Sequence, residues 1–308
     1  MKTHIYVDGY NLYYGCLKRT SHKWLDVVRL LTAETLPTDV AYEQPLVKYF
    51  TAEIKESAAQ DPHSKQDQKT YHRALEASYL PSELQIILGY FDVKDSEAYL
   101  IDRNEPKKPP RECVKAPVWK LEEKQSDVNI AIESVVDALQ IPDLEQVVFV
   151  TNDSDISPAL RTIKRLRPDI QIGLIVPVSD SKTRHATEKL TKHADWCLPE
   201  IRKSWLKRAQ LPRVVLESKR QKLRKPIVKP DGWFGASDVL EQIIETLMPV
   251  CNNKRANCWK WLNTPKPEVD GLPIIEGLPS EHLDSLESAE IVLAHARAYR
   301  DFKQGFYD

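Results

Sequence analysis

The sequence predicts an α/β protein: a mostly parallel sheet flanked by helices, followed by a small all-α C-terminal domain. Two observations carry that expectation. Short apolar runs alternate with segments of helical period from residue 1 to about residue 200, the order of βαβ units. Beyond residue 230, apolar residues recur at helical spacing.

Residues 4–7 form an apolar run that reads as a first strand, broken by Asp8 and Gly9. Helical spacing follows over 24–31, then a strand over 46–52, a helix over 65–78 and a strand over 83–90. A strand is expected over 114–120, a helix over 128–139 and a buried strand over 147–150. Pro158 suits the first turn of a helix over 158–166, and residues 171–177 and 195–198 give the last strands. This alternation argues for a parallel sheet covered on both faces.

Hydrophobic residues make up 42% and charged residues 29% of the 308, an ordinary globular balance. The net charge of −1 implies no polyanionic partner by itself. Five scattered cysteines form no CxxC pair and no zinc spacing, so free thiols in a reducing cytoplasm are expected. The N-terminus enters a strand without a secretory signal, and no apolar run reaches the roughly 18 residues of a membrane helix.

The chemistry concentrates at strand ends. Thr151-Asn152-Asp153-Ser154-Asp155 follows the strand at 147–150, so Asp153 and Asp155 fall at its C-terminal end. In open α/β sheets that edge is where ligands bind. Asp8 ends the first strand in the same way, and Asn11 can cap the next helix. Asp127 stands near a helix start, with Glu133 six residues on. Crowded carboxylates are costly unless a cation joins them, and Mg²⁺ or Mn²⁺ with a substrate phosphate is the usual resolution. Each aspartate taken alone is equally an ordinary helix cap or Asx turn.

Asp8-Gly9-Tyr10-Asn11-Leu12, Lys124-Gln125-Ser126-Asp127 and Thr151 to Pro158 resemble the three acidic motifs of NYN domains, in the PIN-like ribonuclease superfamily. Tyr49-Phe50-Thr51-Ala52 and Gln68-Lys69-Thr70-Tyr71 are similar to its bacterial, LabA-like branch. The likeness spans residues 1–200 and implies a PIN-like nuclease domain. It implies that Asp8, Asp127, Asp153 and Asp155 bind Mg²⁺ or Mn²⁺, that Asn11 orients water or phosphate, and that Glu133 and Ser154 stand beside them. Gln125 replaces a small residue, often Gly, which draws attention to the turn there.

Residues 102–111 are Pro-rich and basic, and read either as a solvated loop or as a lip beside the acidic site. Lys107, Lys108 and Arg111 are then candidate phosphate contacts. Residues 201–230 read as a basic linker or helical extension, with Arg202, Lys203, Lys219, Arg220, Lys222 and Arg224 as candidate nucleic-acid contacts and Trp205 interleaved. Residues 231–308 form the small helical region, with helices over 236–248, 257–262 and 288–299 and a turn at 280–283. Cys258-Trp259-Lys260-Trp261-Leu262-Asn263-Thr264-Pro265, then Gly271 to Leu278, is similar to the C-terminal domain of MbcA/ParS/Xre-type antitoxins. That resemblance implies a protein-binding module.

The resulting expectation is a cytoplasmic, divalent-metal-dependent endoribonuclease with RNA as substrate. A protein partner for the C-terminal region and a homo-oligomer are further expectations. The competing reading is an RNA-binding or toxin–antitoxin-like regulator whose acidic site is slow or silent.

Overall fold

The computed structural model describes residues 1–59, 61–179, 185–216 and 226–305. Seven strands form one sheet in the order β4-β3-β2-β1-β5-β6-β7. They are β1 (Thr3–Asp8), β2 (Leu46–Ala52), β3 (Leu84–Tyr99), β4 (Lys115–Lys124), β5 (Gln146–Val150), β6 (Gln171–Ile175) and β7 (Trp196–Leu198). Every neighbouring pair is parallel except β3 with β4. The mostly parallel sheet expected from the alternating pattern is present.

The central strands β1 and β5 are buried along their whole length. Strands covered on both faces lose the alternating pattern and read as continuous apolar runs, as Gln146-Val147-Val148-Phe149-Val150 nearly does. Its one polar member is satisfied: the Gln146 amide donates to Thr3 Oγ1 at 3.1 Å and accepts from Trp196 Nε1 at 2.9 Å.

Helix α1 (Gly9–Leu12) follows β1 and passes directly into a π-helical turn, Tyr13–Leu17. A side chain at Gly15 would meet the Pro177 carbonyl at 1.7 Å, so only glycine lets that turn approach the chain after β6. The short α2 (Val27–Arg29) continues as a second π-helical stretch, Leu30–Thr35. α3 (Ser64–Ser78), α4 (Ser126–Gln140) and α5 (Ser157–Leu166) are the longer helices of this part, with α6 (Glu188–Thr191) before β7.

Helix α4 turns Ile130, Ser134, Asp137 and Ala138 inward. Asp137 is the centre of a buried polar group. Its Oδ2 accepts from Tyr6 Oη at 2.7 Å, lies 2.9 Å from His4 Nδ1, and pairs with Lys48 Nζ at 2.8 Å. Lys48 also bonds Glu133 at 2.7 Å. Alternate residues of β1 and β2 thus reach the same helix, as the two-residue period of a strand requires. Gln125, just before α4, has φ +77°, the left-handed conformation in which glycine is at ease. The departure noted in the sequence is therefore a real constraint on that turn.

Residues 201–230, expected as a basic linker or helical extension, fall where the chain divides into compact units of Met1–Lys18 with Leu25–Val228, and Arg19–Trp24 with Lys229–Asp308. Helix α7 (Lys203–Arg208) belongs to the first unit, where Ile201, Leu206, Ala209 and Leu211 are buried. Asp26 N–H donates to Ala209 O at 2.9 Å, and Arg208 pairs with Glu34 at 2.5 Å. β8 (Val214–Val215) and β9 (Ile227–Val228) pair as a short antiparallel hairpin within the same unit. Apolar residues set among the lysines and arginines are what the charge run concealed. The Pro-rich segment is not a lip on the acidic edge. It joins β3 to β4 at the far end of an antiparallel ribbon, beyond the pair Tyr99–Lys115.

In the second unit the described elements from Lys229 onward are helical. α8 (Ser237–Leu247), α9 (Arg255–Leu262) and α10 (Leu286–Lys303) surround a core that includes Leu240, Ile243, Leu262, Val292 and Leu293. These match the three helices expected there, each within a few residues of its bounds.

Candidate active site

The C-terminal ends of β1 and β5 lie side by side, Val7 opposite Val150. That places Asp8 next to Thr151. Asp8 is buried and heavily engaged. Its Oδ1 accepts the Asn11 N–H at 2.9 Å, and its Oδ2 accepts from Asn11 Nδ2 at 2.6 Å and Thr151 Oγ1 at 3.0 Å. Asp8 therefore caps α1 and ties β1 to the loop after β5. Burial raises its pKa, against the opposing pull of these hydrogen bonds.

The loop after β5 is built the same way. Thr151 Oγ1 accepts the Asp153 N–H at 3.1 Å, and Asp153 Oδ1 accepts the Asp155 N–H at 2.9 Å. Ser154 begins a 3-10 turn, Ser154–Ile156, leading into α5. Asn152 anchors the chain after β6. Its Nδ2 donates to His185 O at 3.0 Å and its Oδ1 accepts the Thr187 N–H at 2.9 Å. Thr151 and Asn152 are thus supports of the site that attention to the carboxylates passed over, although they head the same motif.

Asp127 enters from the first turn of α4. It is exposed to solvent. Desolvation of its carboxyl comes first, then the charges of Asp8, Asp153 and Asp155, and together they push its pKa up to about 6. Of the four aspartates, Asp8, Asp153 and Asp155 act on Asp127 through their charges. Asn11 joins them through Asp8. Glu133 does not: it is held by Lys48 beneath α4.

A second feature was missed from sequence. Tyr10 lies edge-on to Phe91, with ring centroids 5.2 Å apart, and stacks on Tyr14 at 6.2 Å. Tyr13 meets Tyr14 edge-on at 5.3 Å. Tyr10 follows Asp8 by two residues. Phe91 follows by two residues Gly89, where an added side chain would lie 2.9 Å from Ser126 Oγ, beside Asp127. Tyr10, Tyr13, Tyr14 and Phe91 thus form an aromatic cluster on the segments that follow β1 and Gly89. The spacing of Tyr10, Tyr13 and Tyr14 on consecutive helical turns was the available signal.

The donor set does not make a metal centre: no group of three or more His, Cys, Asp or Glu side chains among the described residues could hold an ion. Two of the carboxylates already serve as caps. The edge fits a dinucleotide no better. Phosphates bind at exposed helix N-termini and glycine-rich turns, whereas here Asp8 occupies the N-terminus of α1 and further carboxylates surround it.

The basic residues fare differently from one another. Lys107, Lys108 and Arg111 lie in the segment at the ribbon tip, where Lys108 pairs with Asp102 at 3.3 Å and Arg111 with Glu112 at 3.6 Å. Arg202 sits over the Trp205 ring at 4.9 Å, and Lys203 opens α7. Lys219, Arg220, Lys222 and Arg224 lie outside the described residues. No described helix is long and apolar enough to cross a membrane.

No family model matches the chain. It is 37% identical over 311 aligned residues, 97% of this chain and 95% of the relative, to 6-hydroxy-3-succinoylpyridine 3-monooxygenase HspA of Pseudomonas putida. A solved protein of unknown function from Vibrio parahaemolyticus is 20% identical, covering 66% of this chain and 93% of its own at a TM-score of 0.38, a weak likeness. The full-length relationship to a monooxygenase overturns the expected metal-dependent cleavage of RNA, and with it the nuclease and hydrolase assignments and the expectation of Mg²⁺ or Mn²⁺ as cofactor. The phosphate-contact roles given to the basic residues lose their basis as well. The chain belongs to the family of this 6-hydroxy-3-succinoylpyridine 3-monooxygenase.

Proposed function

We propose that the protein is a monooxygenase that places one oxygen atom on a hydroxylated nitrogen heterocycle, with Asp127 and the aromatic cluster of Tyr10, Tyr14 and Phe91 serving that reaction. The observation that carries this reading is the relationship over 97% of the chain to an enzyme of that name. Two features of the site support it. Tyr10, Tyr14 and Phe91 offer ring faces and edges to a flat substrate. Asp127, with its pKa near 6, is ionised at neutral pH yet basic enough to take a proton.

In a 6-hydroxypyridine the carbon para to the hydroxyl is C3. Removing the hydroxyl proton pushes electron density onto that carbon and prepares it for an electrophilic oxygen. Asp127 is the group proposed to take that proton, while Asp8, bonded to Asn11 and Thr151, holds the edge rigid. In 6-hydroxy-3-succinoylpyridine that C3 carbon bears the succinoyl group, so the ring C–O bond forms as the ring–acyl bond breaks. One atom of O₂ stays on the ring, the acyl group is taken up by water as succinate, and two electrons from a reduced nicotinamide or flavin donor reduce the other O₂ atom to water. No step is assigned to a bound dinucleotide, because this edge does not accommodate its phosphates.

The test is oxygen uptake by the purified full chain with 6-hydroxy-3-succinoylpyridine and NADH, with and without added flavin. Uptake matched to substrate loss, and absent without substrate, is the expected result. Substrate left intact under every donor condition would refute the reading.

A further inference from the structure

In the second unit, the last turn of α9 leaves two polar groups unmet. The Trp261 side chain is 7% exposed, and its indole N–H is buried with no hydrogen-bond acceptor among the described residues. A buried donor without an acceptor has lost its water and gained nothing in return, so such groups are rare in folded proteins. Over the same ring stands the Lys266 ammonium, 4.1 Å from the ring centre. Lys266 is only partly exposed. Desolvation pulls its pKa down to about 8, Cys251 alone opposes that shift, and no carboxylate acts on it.

The helix does not need this lysine as a cap. The carbonyls that end α9 already have partners: Asn263 N–H donates to Trp259 O at 3.0 Å, Thr264 N–H to Trp261 O at 3.1 Å, and Thr264 Oγ1 to Lys260 O at 2.8 Å. The surroundings add positive charge. Trp261 packs on Tyr299 of α10 with ring centroids 5.7 Å apart, and Lys303 stands over the Tyr299 ring at 5.8 Å. The acid beside them, Asp301, is engaged by Arg300 at 2.7 Å. Two ammonium groups thus border one pair of rings.

We propose that Trp261 and Lys266 form a binding site for a small aliphatic carboxylate. One oxygen accepts the indole N–H and the other faces the ammonium. The N–H lies on the rim of the ring that the ammonium covers, so both donors are within reach of a single carboxylate. Charge selects this class over phosphate. A helix C-terminus opposes anions, and a carboxylate places one charge there where a phosphate places up to two. Phosphate sites are built at helix N-termini, which this end of α9 is not. Access selects a small ligand. The covering ammonium rides on a flexible stem that a slim molecule can pass and a folded partner cannot. The proposed reaction releases a ligand of this class, but the site belongs to the second unit and does not rest on that reading.

Indole ¹⁵N–¹H spectra of the labelled full chain test this without turnover. Trp261→Phe identifies the resonance by its loss. Sodium succinate should move that resonance downfield and saturate in the millimolar range, while sodium chloride at equal ionic strength should leave it in place. Lys266→Gln keeps most of the stem and removes the charge, and should weaken succinate binding by about tenfold or more, the worth of a hydrogen bond to a charged group. Inorganic phosphate should bind more weakly than succinate. Should Trp261→Phe misfold, equilibrium dialysis decides: labelled succinate held by the wild type should be lost from Lys266→Gln. A resonance unmoved by succinate, an equal shift with chloride, unchanged affinity in Lys266→Gln, or phosphate bound as tightly as succinate would overturn the proposal. None of these outcomes bears on oxygen uptake, so the two readings fail separately.

Discussion

Asp127 is the residue on which the proposed reaction turns. Its folded pKa of about 6 lies above its ordinary value of 3.8, so the folded state holds its proton more tightly than the unfolded chain. The stability associated with that proton is fully present below the unfolded pKa and is lost as pH rises through about 6. Asp127→Asn removes this penalty, so the variant should gain thermal stability at neutral pH relative to wild type and lose that advantage near pH 4. Catalysis should move the other way. Wild-type turnover should rise with pH through about 6 as the base ionises, and Asp127→Asn should lose about 100-fold or more, the usual contribution of a general base. A pH–rate profile with no inflection there would remove Asp127 from the chemistry. Tyr10→Ala and Tyr14→Ala should instead raise KM, since they remove stacking surface and no proton acceptor. A fall in kcat at unchanged KM would contradict a binding role. The carboxylates were legible in the sequence because strand ends and acidic residues are local signals. Their division of labour was not: the caps of Asp8 and Asp153 are local, but the bond from Thr151 Oγ1 to Asp8 joins separate loops.

At the scale of elements, helix α4 couples the core to the site. Asp137 ties it to His4, Tyr6 and Lys48, and Asp127 stands at its opposite end. Burial tends to raise the Asp137 pKa, but hydrogen bonds from His4, Lys48 and Tyr6 and the Lys48 charge hold it down at about 2. This group therefore contributes stability above the ordinary carboxylate pKa, and the contribution fades as pH falls through about 2. Asp137→Ala leaves the buried Lys48 ammonium with Glu133 alone and should cost about 3 kcal/mol by denaturant melting. A cost under roughly 0.5 kcal/mol, as at an ordinary surface position, would show that the network is dispensable. The strands and long helices were readable within a few residues from periodicity. Three things were not. Strand β3 continues past Tyr90 with polar, β-ribbon alternation that carries no core signal. The π-helical turns have no signature of their own. The Asp137 network joins residues more than eighty positions apart, which no local window contains.

For the whole molecule, the order of strands and helices in the sequence indicated a mostly parallel sheet, and that much did not depend on the reaction. The edge alone did not name the chemistry, because clustered aspartates suit ion binding, proton transfer and capping alike. The relative that matches along the full chain is named a monooxygenase, and the proposed reading follows it. The most direct measurement of that claim is the fate of labelled oxygen. Purified protein is supplied with 6-hydroxy-3-succinoylpyridine, a reduced nicotinamide or flavin donor, and ¹⁸O₂ in unlabelled water, and the ring product is weighed by mass spectrometry. The account predicts one ¹⁸O atom per product ring, with that product lost in Asp127→Asn. A product carrying oxygen only from water, or none formed while the donor is available, would contradict it.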